Sequence, residues 1–181
     1  MPTELDKIVA ELRDSDRQER IDLLLDFARE LPPLPERLLA HKDASHRVEE
    51  CQSPVYLFVE FAGDRVHLFA DAPIEAPTVR GFVALLLSGL NGATLEEILG
   101  VPADLVERCG LTEILGMLRV RGLGGVLRRL KAEVARAAID RAQAHGPESM
   151  PSTGSSFAAA AKVTVGSDQT AGQPRIETHK T

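Results

Sequence analysis

Thiols and imidazoles are scarce in this 181-residue chain, which has two cysteines, Cys51 and Cys109, and five histidines. The histidines (His41, His46, His67, His145 and His179) are scattered, and neither a C-x-x-C nor an H-x-x-x-H spacing occurs, so no metal centre or other cofactor is expected. A chain of this size needs no staple, and two free thiols are expected rather than a disulfide. No long hydrophobic run is present either: the longest uncharged stretch, GFVALLLSGLNGATL, is broken by Gly, Ser and Asn and is too short and polar to span a bilayer. The opening MPTELDKIVAELRD is acidic and amphipathic, unlike a secretory signal, so a cytoplasmic protein is expected. Positive charge is in deficit, with 21 Lys and Arg against 27 Asp and Glu and a formal charge of −6, which argues against binding nucleic acid through its phosphates. No G-x-S-x-G marks a serine nucleophile. The glycines of RGLGGVLRRLK lack the GK[ST] of a phosphate loop and the third glycine of a dinucleotide fingerprint. They read instead as a place where a helix packs closely.

What is present is one domain's worth of amphipathic elements. Leu5, Ile8, Val9 and Leu12 repeat at helical spacing behind Thr3 and Asp6, a capping-box pair. A second helix follows, with Ser15 and Gln18 as its expected cap and Pro32 and Pro33 as its stop. VYLFVEF, residues 55–61, alternates Val55, Leu57, Val59 and Phe61 with Tyr56, Phe58 and Glu60. RVHLFA, residues 65–70, alternates likewise, so the two form an antiparallel hairpin turning at AGD. Both faces of this hairpin are apolar, so helices must cover it. TVRGFVALLLSGLNG supplies an almost wholly apolar core helix ending at Asn91-Gly92. Short helices follow at TLEEILG and after Pro102, and a long one runs from about Leu118 to Gln143. Its apolar stripe includes Leu123, Val126, Leu127, Leu130 and Val134, and Arg128, Arg129, Lys131, Arg136 and Arg141 are expected to face away. The domain is therefore placed at residues 1–145. Residues 146–181, rich in Gly, Pro, Ser and Thr, have too little apolar surface to offset chain entropy and are expected to be a disordered tail.

Two thiols remain as candidate chemistry. Cys109, at the end of a short apolar helix and before Gly110, reads as a buried structural cysteine. Cys51 follows the polar run HRVEE and precedes the first strand, which predicts an exposed loop tip. Arg47 and His46 there favour a thiolate, whereas Glu49 and Glu50 raise the thiol's pKa.

LPPLPERLL, HRVEECQSPVYL, PTVRGFVALLL and LRVRGL, in that order, together resemble the SufE family of cysteine desulfuration proteins over about residues 5–136. The family's usual Gly before the cysteine is replaced here by Glu50, as in a variant group with ECQSP. The resemblance implies a small α+β domain of the SufE/IscU type, with a short antiparallel sheet of about three strands backed by helices. The third strand would come from residues 47–53 or from the proline stretch. It also implies a persulfide carrier at Cys51 that takes sulfur from a SufS-like, pyridoxal-phosphate-dependent cysteine desulfurase, stimulates that enzyme, and passes sulfur to an iron–sulfur scaffold. On this reading the chain is a non-enzymatic sulfur-transfer partner, monomeric or homodimeric. Arg119 is implied in partner docking, with Asp71 or Glu75 as its acidic counterpart. A binding module that activates its partner without carrying sulfur is the alternative.

Overall fold

The computed structural model describes residues 2–144. The expected tail at 146–181 lies outside the described residues. Helix α1 (Glu4–Asp14) opens on the anticipated Thr3/Asp6 capping box. Helix α2 (Arg17–Glu30) is capped one residue later than expected: Asp16 accepts from the backbone of Gln18 and Glu19, and the Glu19 carboxylate answers to the Asp16 N–H. An Asp paired with Glu three residues on completes a charged box, and Ser15 instead donates its hydroxyl to Glu11 O at the end of α1 (2.7 Å).

Strands β1 (Tyr56–Ala62) and β2 (Arg65–Asp71) pair antiparallel, with Leu57 opposite Ala70, Val59 opposite Leu68 and Phe61 opposite Val66 on the core face. The other face carries Tyr56, Phe58 and Phe69, and it is covered by Leu34 of LPPLP and Leu38 of the short helix α3 (Glu36–Leu39). Both apolar faces of the hairpin are thus accounted for. Where about three strands were implied, the described residues hold two regular ones. The third piece is reduced to a single antiparallel bridge, Arg47 to Tyr56.

Helix α4 (Pro77–Leu90) runs through the middle of the core, with Phe82, Val83 and Leu85 wholly buried. The V-R-G sequence at its start has a packing reason. A Cβ on Gly81 would lie 2.1 Å from Leu24 O, so only glycine lets α4 approach α2 this closely. The neighbouring Arg80 turns to the side and donates to Ala28 O (2.8 Å) and Leu31 O (3.4 Å) at the end of α2, and to Ala72 O (2.6 Å) after β2. One guanidinium thereby closes orphan helix carbonyls and ties down the connection between β2 and α4.

Helices α5 (Leu95–Leu99) and α6 (Leu105–Arg108) and a 3-10 turn at Leu111–Glu113 lead into α7 (Met117–Ala144). Leu123, Val126, Leu127, Leu130 and Val134 are buried, as the stripe predicts. The basic residues of α7 do not all face away. Arg129 and Arg136 flank the buried Glu133, Lys131 donates to Val101 O, and Arg141 lies over the Phe61 ring and donates to Gly63 O. Long cationic side chains can lay their stems on the body of the protein, which helical periodicity does not register. No helix among the described residues is long and apolar enough to cross a membrane.

Candidate functional site

The segment around Cys51 is a short loop closed at its base. Val48 N–H donates to Val55 O (2.9 Å) and Leu57 N–H donates to His46 O (3.0 Å), which pins the chain on either side of residues 49–54. Within the loop, Cys51 N–H donates back to Val48 O (3.3 Å). The hairpin follows directly, so the thiol is carried on a small loop attached to the sheet.

That loop does not present its thiol to solvent. Cys51 is 5% exposed, which corrects the expectation of an exposed tip. The reason lies on α7. A Cβ on Gly122 would be 4.0 Å from Cys51 Sγ, and one on Gly125 would be 2.6 Å from the Cβ of Glu50, so the two glycines leave a trough into which the loop settles. Gly122 and Gly125 of RGLGG serve close packing, and what they pack against is the cysteine loop, whereas Gly124 faces only the Arg128 side chain.

Cys51 forms part of the wall of a cavity of about 860 Å³. Ser53, Glu75, Thr78, Arg119 and Arg121 share that wall. The structure thus brings Cys51, Glu75 and Arg119 together from three separate parts of the chain. Asp71 is placed elsewhere: it ends β2 opposite Tyr56, and its carboxylate pairs with Lys42 Nζ at 2.5 Å. Of the two acidic candidates, only Glu75 borders the cavity.

Burial pushes the Cys51 thiol above its ordinary pKa, opposed by a hydrogen bond from the Ser53 backbone. The resting thiol is therefore protonated and shielded, which suits storage better than attack. Cys109 is fully buried, and burial pushes its thiol up to about 12 against the opposing field of Arg20. It has the structural character its sequence context suggests. No group of His, Cys, Asp and Glu able to hold a metal ion is found among the described residues.

Sequence reasoning passed over Arg121, Thr78 and Ser53 as cavity residues. Arg121 carried a usable signal, since it lies two residues beyond Arg119 in the same LRVRGL stretch. Ser53 and Thr78 lie in the CQSP and PTVRG stretches, but that they meet depends on how α4, α7 and the loop come together.

Residues 6–134 match the SufE family, described as an Fe-S metabolism associated domain. An uncharacterized SufE-like protein of Mycobacterium tuberculosis is 39% identical over 138 residues, covering 76% of this chain and 95% of its own. The cysteine desulfuration protein SufE of Plasmodium vivax is 29% identical over 108 residues, 59% of this chain and 41% of that one. A solution structure of a hypothetical protein from Thermus thermophilus superposes with a TM-score of 0.67 at 34% identity, covering 77% of this chain and 99% of its own. With the family match spanning the helices, the hairpin and the cysteine loop alike, the chain belongs to the SufE family, whose members serve sulfur transfer in iron–sulfur metabolism with a cysteine desulfurase as partner.

Proposed function

We propose that this chain is a cytoplasmic sulfur acceptor that takes persulfide sulfur from a cysteine desulfurase onto Cys51, stimulates that enzyme by clearing its thiol, and delivers the sulfur onward for cluster assembly. The observation that carries the reading is the placement of Cys51, on a pinned loop in the wall of a cavity shared with Glu75 and Arg119. The Cys51 thiol, protonated at rest, releases its proton to solvent, and the resulting thiolate attacks the outer sulfur of the donor's persulfide. A new S–S bond forms on Cys51, the donor's S–S bond breaks, and the donor leaves as a thiolate, so no outside oxidant or reductant is needed. The same burial that raises the thiol's pKa would shield the outer sulfur of the loaded form from stray thiols. Arg119 is assigned to docking and Glu75 to the acidic side of the same mouth. The domain responsible is residues 1–145.

Incubation with a cysteine desulfurase and free cysteine should add one sulfur, about 32 Da, to Cys51 by mass spectrometry. Cys51→Ser should neither gain the sulfur nor stimulate the desulfurase. Full stimulation by that variant would sink the carrier reading in favour of an activating module.

A further inference from the structure

The wall of the Cys51 cavity carries both signs of charge in equal number. Glu50, Glu75, Arg119 and Arg121 all line it, so two carboxylates and two guanidiniums stand around the thiol. Elsewhere, opposite charges that share a surface close on each other, as Arg37 does with Glu60, Lys42 with Asp71 and Arg129 with Glu133. None of the four cavity groups makes an ion pair or a side-chain hydrogen bond to any described residue. They stand on separate elements: Glu50 on the cysteine loop, Glu75 on the connection between β2 and α4, and both arginines on the first two turns of α7. A ligand of one charge would gain from one pair and be repelled by the other. A zwitterion meets both, its carboxylate fitting the guanidinium fork and its ammonium the glutamates. At about 860 Å³ the cavity also has the size of a small-molecule site.

We propose that this cavity binds a small zwitterionic thiol, a molecule bearing an ammonium, a carboxylate and an S–H, and that such a thiol removes the sulfur from loaded Cys51. The step rests on the proposed sulfur-acceptor role. The bound thiol loses its proton to solvent, and its thiolate attacks the outer sulfur of the Cys51 persulfide. A new S–S bond forms on the ligand and the bond from Cys51 Sγ to the outer sulfur breaks. Cys51 leaves as a thiolate and takes up a proton from solvent, so no oxidant or reductant enters. Burial of Cys51 keeps other thiols away, and the four charges select this one. Sulfur thereby has a small-molecule exit that needs no docked protein.

Mixed-disulfide formation on Cys51 tests the site without any persulfide. The full chain is treated with cystine, cystine dimethyl ester, dithiodipropionate or hydroxyethyl disulfide, which carry both charges, the ammonium alone, the carboxylate alone and neither. Each rate, read by mass spectrometry, is divided by that of a short peptide carrying ECQSP, which removes the reagent's intrinsic reactivity. The normalised rate with cystine should exceed the other three by about tenfold, the gain from a further charge-assisted contact. Arg119→Gln with Arg121→Gln should lower cystine to the level of its dimethyl ester, and Glu50→Gln with Glu75→Gln to that of dithiodipropionate. All four positions are exposed, and unchanged thermal unfolding confirms that folding is intact. Equal normalised rates in the parent, or a cystine preference that survives both double substitutions, overturn the inference. The parent, loaded by a cysteine desulfurase and then separated from it, is next given L-cysteine. Cys51 should lose about 32 Da while cysteine persulfide is trapped with iodoacetamide, at a rate that saturates with L-cysteine. A chain that prefers cystine but cannot be loaded loses the acceptor role and keeps the binding site. One that loads, yet releases sulfur no faster to L-cysteine than to mercaptoethanol at equal thiolate concentration, keeps the acceptor role and loses the exit.

Discussion

The Cβ of Glu50 lies 2.6 Å from the position a Cβ would occupy on Gly125, so the residue preceding Cys51 is seated directly against the backbone of α7. A glycine at 125 is what leaves room for the side chain of Glu50 immediately before Cys51. Gly125→Ala should force the loop out of its trough, at a cost of about 1–3 kcal/mol in stability, as overpacking generally does. The expected result is several-fold faster alkylation of Cys51 by iodoacetamide, followed by mass spectrometry. Glu50→Gly combined with Gly125→Ala should return the rate toward that of the parent, since the clashing atom is gone. An unchanged rate in Gly125→Ala alone would show that Glu50 does not hold the loop.

The two thiols should respond to pH differently. Burial raises the Cys51 thiol, so its alkylation in the folded protein should rise with a midpoint above that of the same cysteine in urea, with little thiolate at neutral pH. Cys109, pushed up to about 12 from 9.0, keeps its proton in the fold after the unfolded chain has lost it. Its contribution to stability is thus complete below about pH 9 and is lost as the pH climbs toward 12. Urea denaturation of Cys109→Ala across that range should show a shallower decline than the parent; an identical decline would mean Cys109 is not held protonated.

Arg20 is almost fully buried and donates to Leu12 O (2.7 Å), Arg13 O (3.3 Å), Ser15 O (2.9 Å) and Gly110 O (2.9 Å), and to Glu113 Oε2 (2.9 Å). Four carbonyls, three of them around the end of α1, depend on one guanidinium. Arg20→Met should cost about 3–5 kcal/mol, because it leaves buried acceptors unpaired. Glu113→Ala should cost under about 1 kcal/mol, since that carboxylate is largely in solvent. Equal losses in urea titrations of the two variants would contradict this division.

Much of this architecture can be read from periodicity alone. Alternation in VYLFVEF and RVHLFA identifies both strands, and Thr3/Asp6 and Asn91-Gly92 mark helix ends that the structure keeps. These features depend on residues within a few positions of each other. Cys51 looked exposed because its local context is polar, whereas its burial comes from Gly122 and Gly125, far along the chain. The choice between Asp71 and Glu75 also needed tertiary placement, since Lys42 claims one of them and the cavity the other. Arg20 gave no sign of its role, because Gly110 and Glu113 stand some 90 positions away.

Gly81 offers a sharper test of close packing than any core leucine. With Leu24 O only 2.1 Å from the added methyl, Gly81→Ala cannot be absorbed by a side-chain rotation. The variant should lose about 3 kcal/mol or fail to fold, the upper end of overpacking costs, as read by its thermal midpoint. Retention of the parent's midpoint would mean that α2 and α4 can slide apart.

The two hydrogen bonds at the base of the cysteine loop also set a length. Cys51 is the third residue beyond Val48, and a fully extended chain gains at most about 3.3–3.6 Å per residue. While those bonds hold, the Cα of Cys51 can swing through an arc of only about 10 Å from its anchor. The loop works as a short tether: under the proposed acceptor role, a donor sulfur within that arc is reached with the sheet intact, and a deeper one is served only by peeling Val48 away from Val55.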